Sequence, residues 1–116
     1  MNTLFSYLYR DASNYKQYED IILEGTLNQE EINQIHAKLD NKEFFIPAQV
    51  GLENLQTRMM HFPSEDDHIW HELTSIVLTE DAPNTPITAE ELLSNFNNVK
   101  KWDVSKYSQE LGIAEN

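Results

Sequence analysis

The stretch "HIWHELTSIVLT", residues 68–79, decides the fold, because it reads as either of two elements. As a helix capped by Ser64, it would align Ile69, Trp70, Leu73, Ile76 and Val77 in one apolar stripe and put His68 and His71 on a shared face. As a strand, it would set Ile69, His71, Leu73, Ser75 and Val77 on one side and His68, Trp70, Glu72, Thr74, Ile76 and Leu78 on the other. The strand is the favoured reading. The segment is rich in β-branched residues, "TEDAPNTP" after it is a loop signal, and two other strands alone would make a marginal sheet.

Those other strands lie near the start of the chain. Phe5, Tyr7 and Tyr9 alternate with Leu4, Ser6, Leu8 and Arg10 over residues 3–11, with the aromatic side expected inward. "DASNYKQ" then supplies turn formers, and Ile21 to Leu23 give a second strand that ends at Gly25, so the two should form an antiparallel hairpin. Further on, Phe44 to Ile46 fit a short buried strand, and Pro47 fits the opening of a helical turn through Val50 and Leu55, weakened by Gly51. Residues 56–67 read as a connection, partly tucked in by Met59, Met60 and Phe62.

Two helices carry explicit start signals. In "LNQEEINQIHAKL" Asn28 caps, Glu31 completes a capping box, and Leu27 staples to Ile32, with Ile32, Ile35 and Leu39 as the inner stripe. In "ITAEELLSNFNNV" Thr88, Glu91, Ile87 and Leu92 repeat the arrangement, with Leu92, Leu93, Phe96 and Val99 inward. A last turn of helix is expected from Ser105 to a stop at Gly112, with Trp102 packing back on the body. The expectation is an α+β fold in which a small antiparallel sheet of three or four strands packs one face against two main helices, at 28–40 and 88–99. No repeat or linker interrupts residues 1–116, so a single compact domain is expected.

Charge is the extreme feature: 20 acidic residues stand against 8 basic ones, for a net charge of −12. Residues 59–99 hold no lysine or arginine, yet include Glu65, Asp66, Asp67, Glu72, Glu80, Asp81, Glu90 and Glu91. Such a field repels nucleic acid and anionic lipid and attracts a basic protein, with salt-sensitive association. The absence of cysteine excludes disulfides and thiolate sites, and a cytoplasmic location is expected. "MNTLFSYLYRDASNYK" has no basic leader and is not expected to act as a signal peptide, and apolar runs of three residues are far short of a membrane span.

Catalytic and metal patterns are incomplete. His68, His71, Asp66, Asp67 and Glu72 are metal-ligating residue types, but "HELTS" has Ser75 where HExxH requires its second histidine. His36 sits at the edge of a helix stripe, and His61 lies in a connection without a recognisable partner. There is no GxSxG and no glycine-rich phosphate loop, so neither metal, cofactor nor catalytic residue is assigned. "LYRDASNYK" (8–16), "EFFIPAQVGL" (43–52), "DDHIWHEL" (66–73) and "LTEDAP" (78–83) together resemble a set of small uncharacterised bacterial proteins; the resemblance implies a compact bacterial domain and transfers no site residue.

Two functional expectations follow. The first is an acidic protein-interaction module, inhibitor-, immunity- or antitoxin-like, that meets a basic or nucleic-acid-binding protein through Asp66, Asp67, Glu72, Glu80 and Asp81. Asp66, Asp67, Glu80 and Asp81 flank the strand in loops and are expected to carry no structural duty. The second is a small-molecule or metal-binding domain or an enzyme, with a pocket built from Trp70, His71, Glu72, Tyr7 and Tyr9.

Overall fold

The computed structural model describes residues 1–114 and contains, in chain order, β1 (Asn2–Arg10), β2 (Lys16–Leu23), α1 (Gln29–Lys38), β3 (Phe44–Phe45), β4 (His71–Thr79), α2 (Ala89–Asn97) and α3 (Val104–Leu111). The deciding stretch is therefore a strand from His71 onward. All neighbouring strands are antiparallel, in the order β2-β1-β4-β3, so the long strand β4 joins the hairpin on the free side of β1.

Register explains which side chains reach the core. Tyr9 stands opposite His71, Tyr7 opposite Leu73 and Phe5 opposite Ile76, with a bulge that leaves Thr74 unmatched between Leu73 and Ser75. An extra residue flips the alternation of everything after it. Ile76 and Leu78 thus share the side of His71 and Leu73, while Val77 faces the other way, correcting the simple alternation expected from the sequence. Bulges leave no mark in composition.

The inner face carries Phe5, Tyr7 and Tyr9, each at most 1% exposed, as the alternation predicted. Phe5 and Phe45 meet edge to face at 5.9 Å, and Phe96 of α2 completes the aromatic group 5.7 Å from Phe45. Ile35 and Leu39, at the α1 side, and Leu92 of α2 close the same core. A second cluster joins Ile46, Ile69 and Ile113, with Trp70, Trp102 and residues of α3 against it.

The capping signals hold. Asn28 accepts the Glu31 amide at 2.8 Å and the Glu31 carboxylate accepts the Asn28 amide at 2.9 Å, closing a reciprocal box. At α2 only half the box forms: Thr88 Oγ1 accepts the Glu91 amide, and its hydroxyl donates to the Glu91 carboxylate. α3 begins one residue earlier than expected and runs two turns, because Asp103 caps it by accepting the Lys106 amide at 3.1 Å; Gly112 ends it at φ 70°. The Trp102 indole donates to the Lys38 carbonyl and tilts edge-on to Phe96. The turn opened by Pro47 stops at Val50, where Gly51 takes φ 85°, so it does not continue to Leu55.

The sheet's two edges are treated differently. At β2, Asn84 behaves like a strand residue: its side-chain oxygen accepts the Ile22 amide at 2.7 Å and its own amide donates to the Ile22 carbonyl at 3.1 Å. Glu24 and Thr88 then form a short parallel bridge. At the opposite edge β3 covers only His71 and Glu72 of β4, and the Leu73 amide reaches the Glu43 carbonyl. Among the described residues, no backbone hydrogen bond reaches the outer side of β4 beyond that point. Among the described residues, no helix is long and apolar enough to cross a membrane.

Candidate functional site

The face of the sheet turned away from α1 and α2 carries Leu4, Leu8, Tyr18, Ile22, Phe44, Glu72 and Val77, since these stand opposite one another across the strands. None of its apolar members belongs to either core cluster, and Tyr18 and Val77 remain 62% and 48% exposed. The acidic residues predicted from the sequence fall on this face, at its two ends, or beneath it.

At the end nearer the β1–β2 turn, Arg10 reaches across to Glu72 with Nε 3.0 Å from Oε2 and Nη2 3.4 Å from Oε1, while its Nη1 donates to Asn14. This fixes Glu72 in the wall of an open cleft of about 590 Å³ lined by Arg10, Asp11, Glu43, Phe44, His68, Trp70 and Glu72. Three carboxylates there face one guanidinium already engaged by one of them, so the cleft favours a cation over an anion. A smaller cleft of about 330 Å³ shares Asp11 and is walled by Met59, Met60, Phe62, Tyr15 and His61. Met60 is 91% exposed.

The loop before β4 is fastened to this end by two carboxylates. Asp66 accepts the Ser13 hydroxyl at 2.6 Å, and its carbonyl accepts the Ala12 amide. Asp67 is buried, and accepts the Tyr9 hydroxyl at 2.6 Å and the Ser64 amide at 2.8 Å. Asp67 is thus not a partner-facing residue, and the expectation that Asp66 and Asp67 carry no structural duty is corrected. Its carboxylate accepts from the Tyr9 hydroxyl and from the Ser64 amide and hydroxyl, because a carboxyl group is buried only when hydrogen-bonded. Glu80 and Asp81 are exposed at the far end of β4, where the Asp81 carbonyl accepts the Asn2 side chain.

The five residues of the alternative pocket divide between the two sides of the sheet. Trp70 and Glu72 line the outer cleft, whereas His71, Tyr7 and Tyr9 lie in the core at most 1% exposed. Strand alternation makes this unavoidable, since His71 and Glu72 are adjacent. Tyr9 and Tyr7 sit 5.3 and 6.0 Å from the His71 ring, centre to centre. Burial, then the hydrogen bond donated to Asp67, raises the Tyr9 pKa; burial, then the nearby Glu19, raises that of Tyr7.

His71 has a structural task. Its Nε2 accepts the Leu55 amide at 2.9 Å, so Nδ1, 3.1 Å from the Ile69 carbonyl, carries the proton and donates. Burial pushes its pKa down to about 3 and keeps the ring neutral. His68 is likewise occupied: Nδ1 accepts the Trp70 amide, leaving Nε2 to donate to the Arg10 carbonyl at 2.7 Å. His36 and His61 are exposed. Among the described residues, no group of three histidine or carboxylate side chains comes together as a metal site.

Sequence reasoning missed Arg10, Glu43 and Phe44 as walls of the larger cleft. They come from two segments far apart in the sequence, and only the strand register, Leu8 opposite Glu72 and Phe44 opposite Glu72, brings them together. Compared with known proteins, the chain matches no family model, no curated protein and no solved structure.

Proposed function

We propose that this is an acidic protein-interaction module, a small bacterial cytoplasmic protein that engages a basic partner through the outer face of its sheet. The observation that carries the reading is the composition of that face: exposed Tyr18 and Val77 are framed by carboxylates, and Arg10 is held on Glu72. Five of the eight cations, Lys38, Lys42, Lys100, Lys101 and Lys106, belong to α1, α3 and loops beside them. An apolar centre with an acidic rim, in which Arg10 offsets only Glu72 and Lys16 stands beside Arg10, suits a partner that brings lysines or arginines around apolar side chains. Inhibitor, immunity and antitoxin-like roles against a nucleic-acid-binding protein all use this chemistry.

The test is capture from native cell extract at low and moderate salt, comparing the parent with Glu43→Gln/Glu80→Gln/Asp81→Asn, three exposed positions. The captured chain should be basic, its retention should fall with salt, and the triple variant should associate more slowly. A captured chain that is not basic, or equal rates and salt slopes for the two proteins, refutes the reading. The small-ligand alternative now rests only on the Trp70 cleft, and would require a ligand response lost in Trp70→Ala.

A further inference from the structure

We propose that the outer edge of β4, residues 74–79, accepts an extended basic segment of the partner as an added strand in line with β3. The inference rests on the interaction reading above and supplies its mode. A strand edge presents unpaired amides and carbonyls, and folded proteins usually blunt it with lysine, proline or a covering segment. This chain does so at β2, where Asn84 satisfies both backbone groups of Ile22 and Lys16 stands at the other end. At β4 it does not. The sequence "TSIVLT" has no lysine, proline or glycine, and Val77 and Leu78 are 48% and 54% exposed. With pairing by β3 ended after Glu72, the free edge is long enough for a strand of about six residues, roughly 20 Å.

The charge at its far end selects the occupant. Glu80 and Asp81 stand where the open edge ends, so a strand with cationic residues near that end is favoured. A second copy of this chain is disfavoured. Antiparallel self-pairing centred between Ile76 and Val77 would run Glu80 and Asp81 of each copy into the positions opposite Leu73 and Glu72, where Glu43 and Phe44 already pair, and each copy carries a net charge of −12. The bulge at Thr74 adds twist where the edge opens, which further penalises a flat, repetitive stack. Backbone hydrogen bonds would then supply affinity and the acidic Glu80–Asp81 end specificity, as in other strand-addition complexes.

The experiment uses the full chain and two probes: a capped heptapeptide alternating lysine with valine, and its twin of equal charge with N-methyl groups on the amides of one edge. Strand addition predicts that the plain peptide binds roughly tenfold or more tightly than the twin, because the twin cannot extend the ladder. It also predicts slowed amide exchange within residues 74–79, and weaker binding by Val77→Lys, which puts a cation on the strand at an exposed position. Equal, salt-sensitive binding of the two peptides overturns strand addition while leaving the basic-partner reading intact. Protection confined to the clefts around Asp11 overturns it in the same way. If neither peptide binds at about 1 mM, strand addition falls, and the capture experiment alone then decides the wider reading.

Discussion

Acidification should destabilise this protein through one side chain, His71. An unfolded histidine titrates near 6.5, whereas the buried ring is held down to about 3. The unfolded chain therefore binds the proton first, and stability rises with pH across this window. The contribution is fully present above pH 6.5 and drains away as pH falls toward 3. Each pH unit below 6.5 costs about 1.4 kcal/mol, so lowering pH from 8 to 5 removes about 2 kcal/mol. Protonation would also turn Nε2 into a donor facing the Leu55 amide, which now donates to it at 2.9 Å. Acid simultaneously relieves the repulsion of a chain with net charge −12, which opposes the loss. His71→Gln separates the two effects, since glutamine keeps an acceptor for Leu55 and does not titrate. Urea unfolding of both proteins at pH 8, 7, 6 and 5 should give a parent-minus-variant difference that shrinks by about 2 kcal/mol over the range. A difference independent of pH, or a His71 ring that titrates near 6.5 in the folded protein, refutes the reasoning.

Asn28→Ala and Thr88→Ala should each cost about 1 kcal/mol in urea unfolding, because each leaves a first-turn amide without its acceptor. Asp67→Ala should cost about 2–3 kcal/mol by stranding the Tyr9 hydroxyl and the Ser64 amide, while Glu80→Gln should stay within about 0.5 kcal/mol. Equal costs for these two would mean that the burial of Asp67 contributes nothing. Phe96→Ala should lose about 3–5 kcal/mol and much of the thermal stability, since its ring closes the aromatic group between α2 and the sheet. Added zinc should leave the melting temperature unmoved, and a rise of several degrees would show that ligands converge on binding.

What the sequence disclosed, it disclosed locally. Helix starts at Asn28 and Thr88 are written within four residues, and the strand character of β4 follows from its β-branched run. Burial of Asp67 was illegible for the opposite reason: its partner Tyr9 lies 58 positions away, so the carboxylate looks like one more member of a solvated acidic run. The bulge at Thr74 was hidden as well, yet it decides which of Ile76 and Val77 joins the core. The Arg10–Glu72 pair and the cleft beside it depend on strand register, which composition does not encode.

The contact of Asn84 with the β2 edge also bears on how many strands the sheet could accept under the strand-addition proposal. In the language of polymer chemistry, a unit with one reactive end caps a chain, and a unit with two extends it. Asn84 occupies both outward backbone groups of Ile22, so a strand added at β4 would leave this point of the opposite edge closed to a second one. Replacing that asparagine with alanine would free only the Ile22 amide, because the backbone amide of residue 84 would still donate to the Ile22 carbonyl.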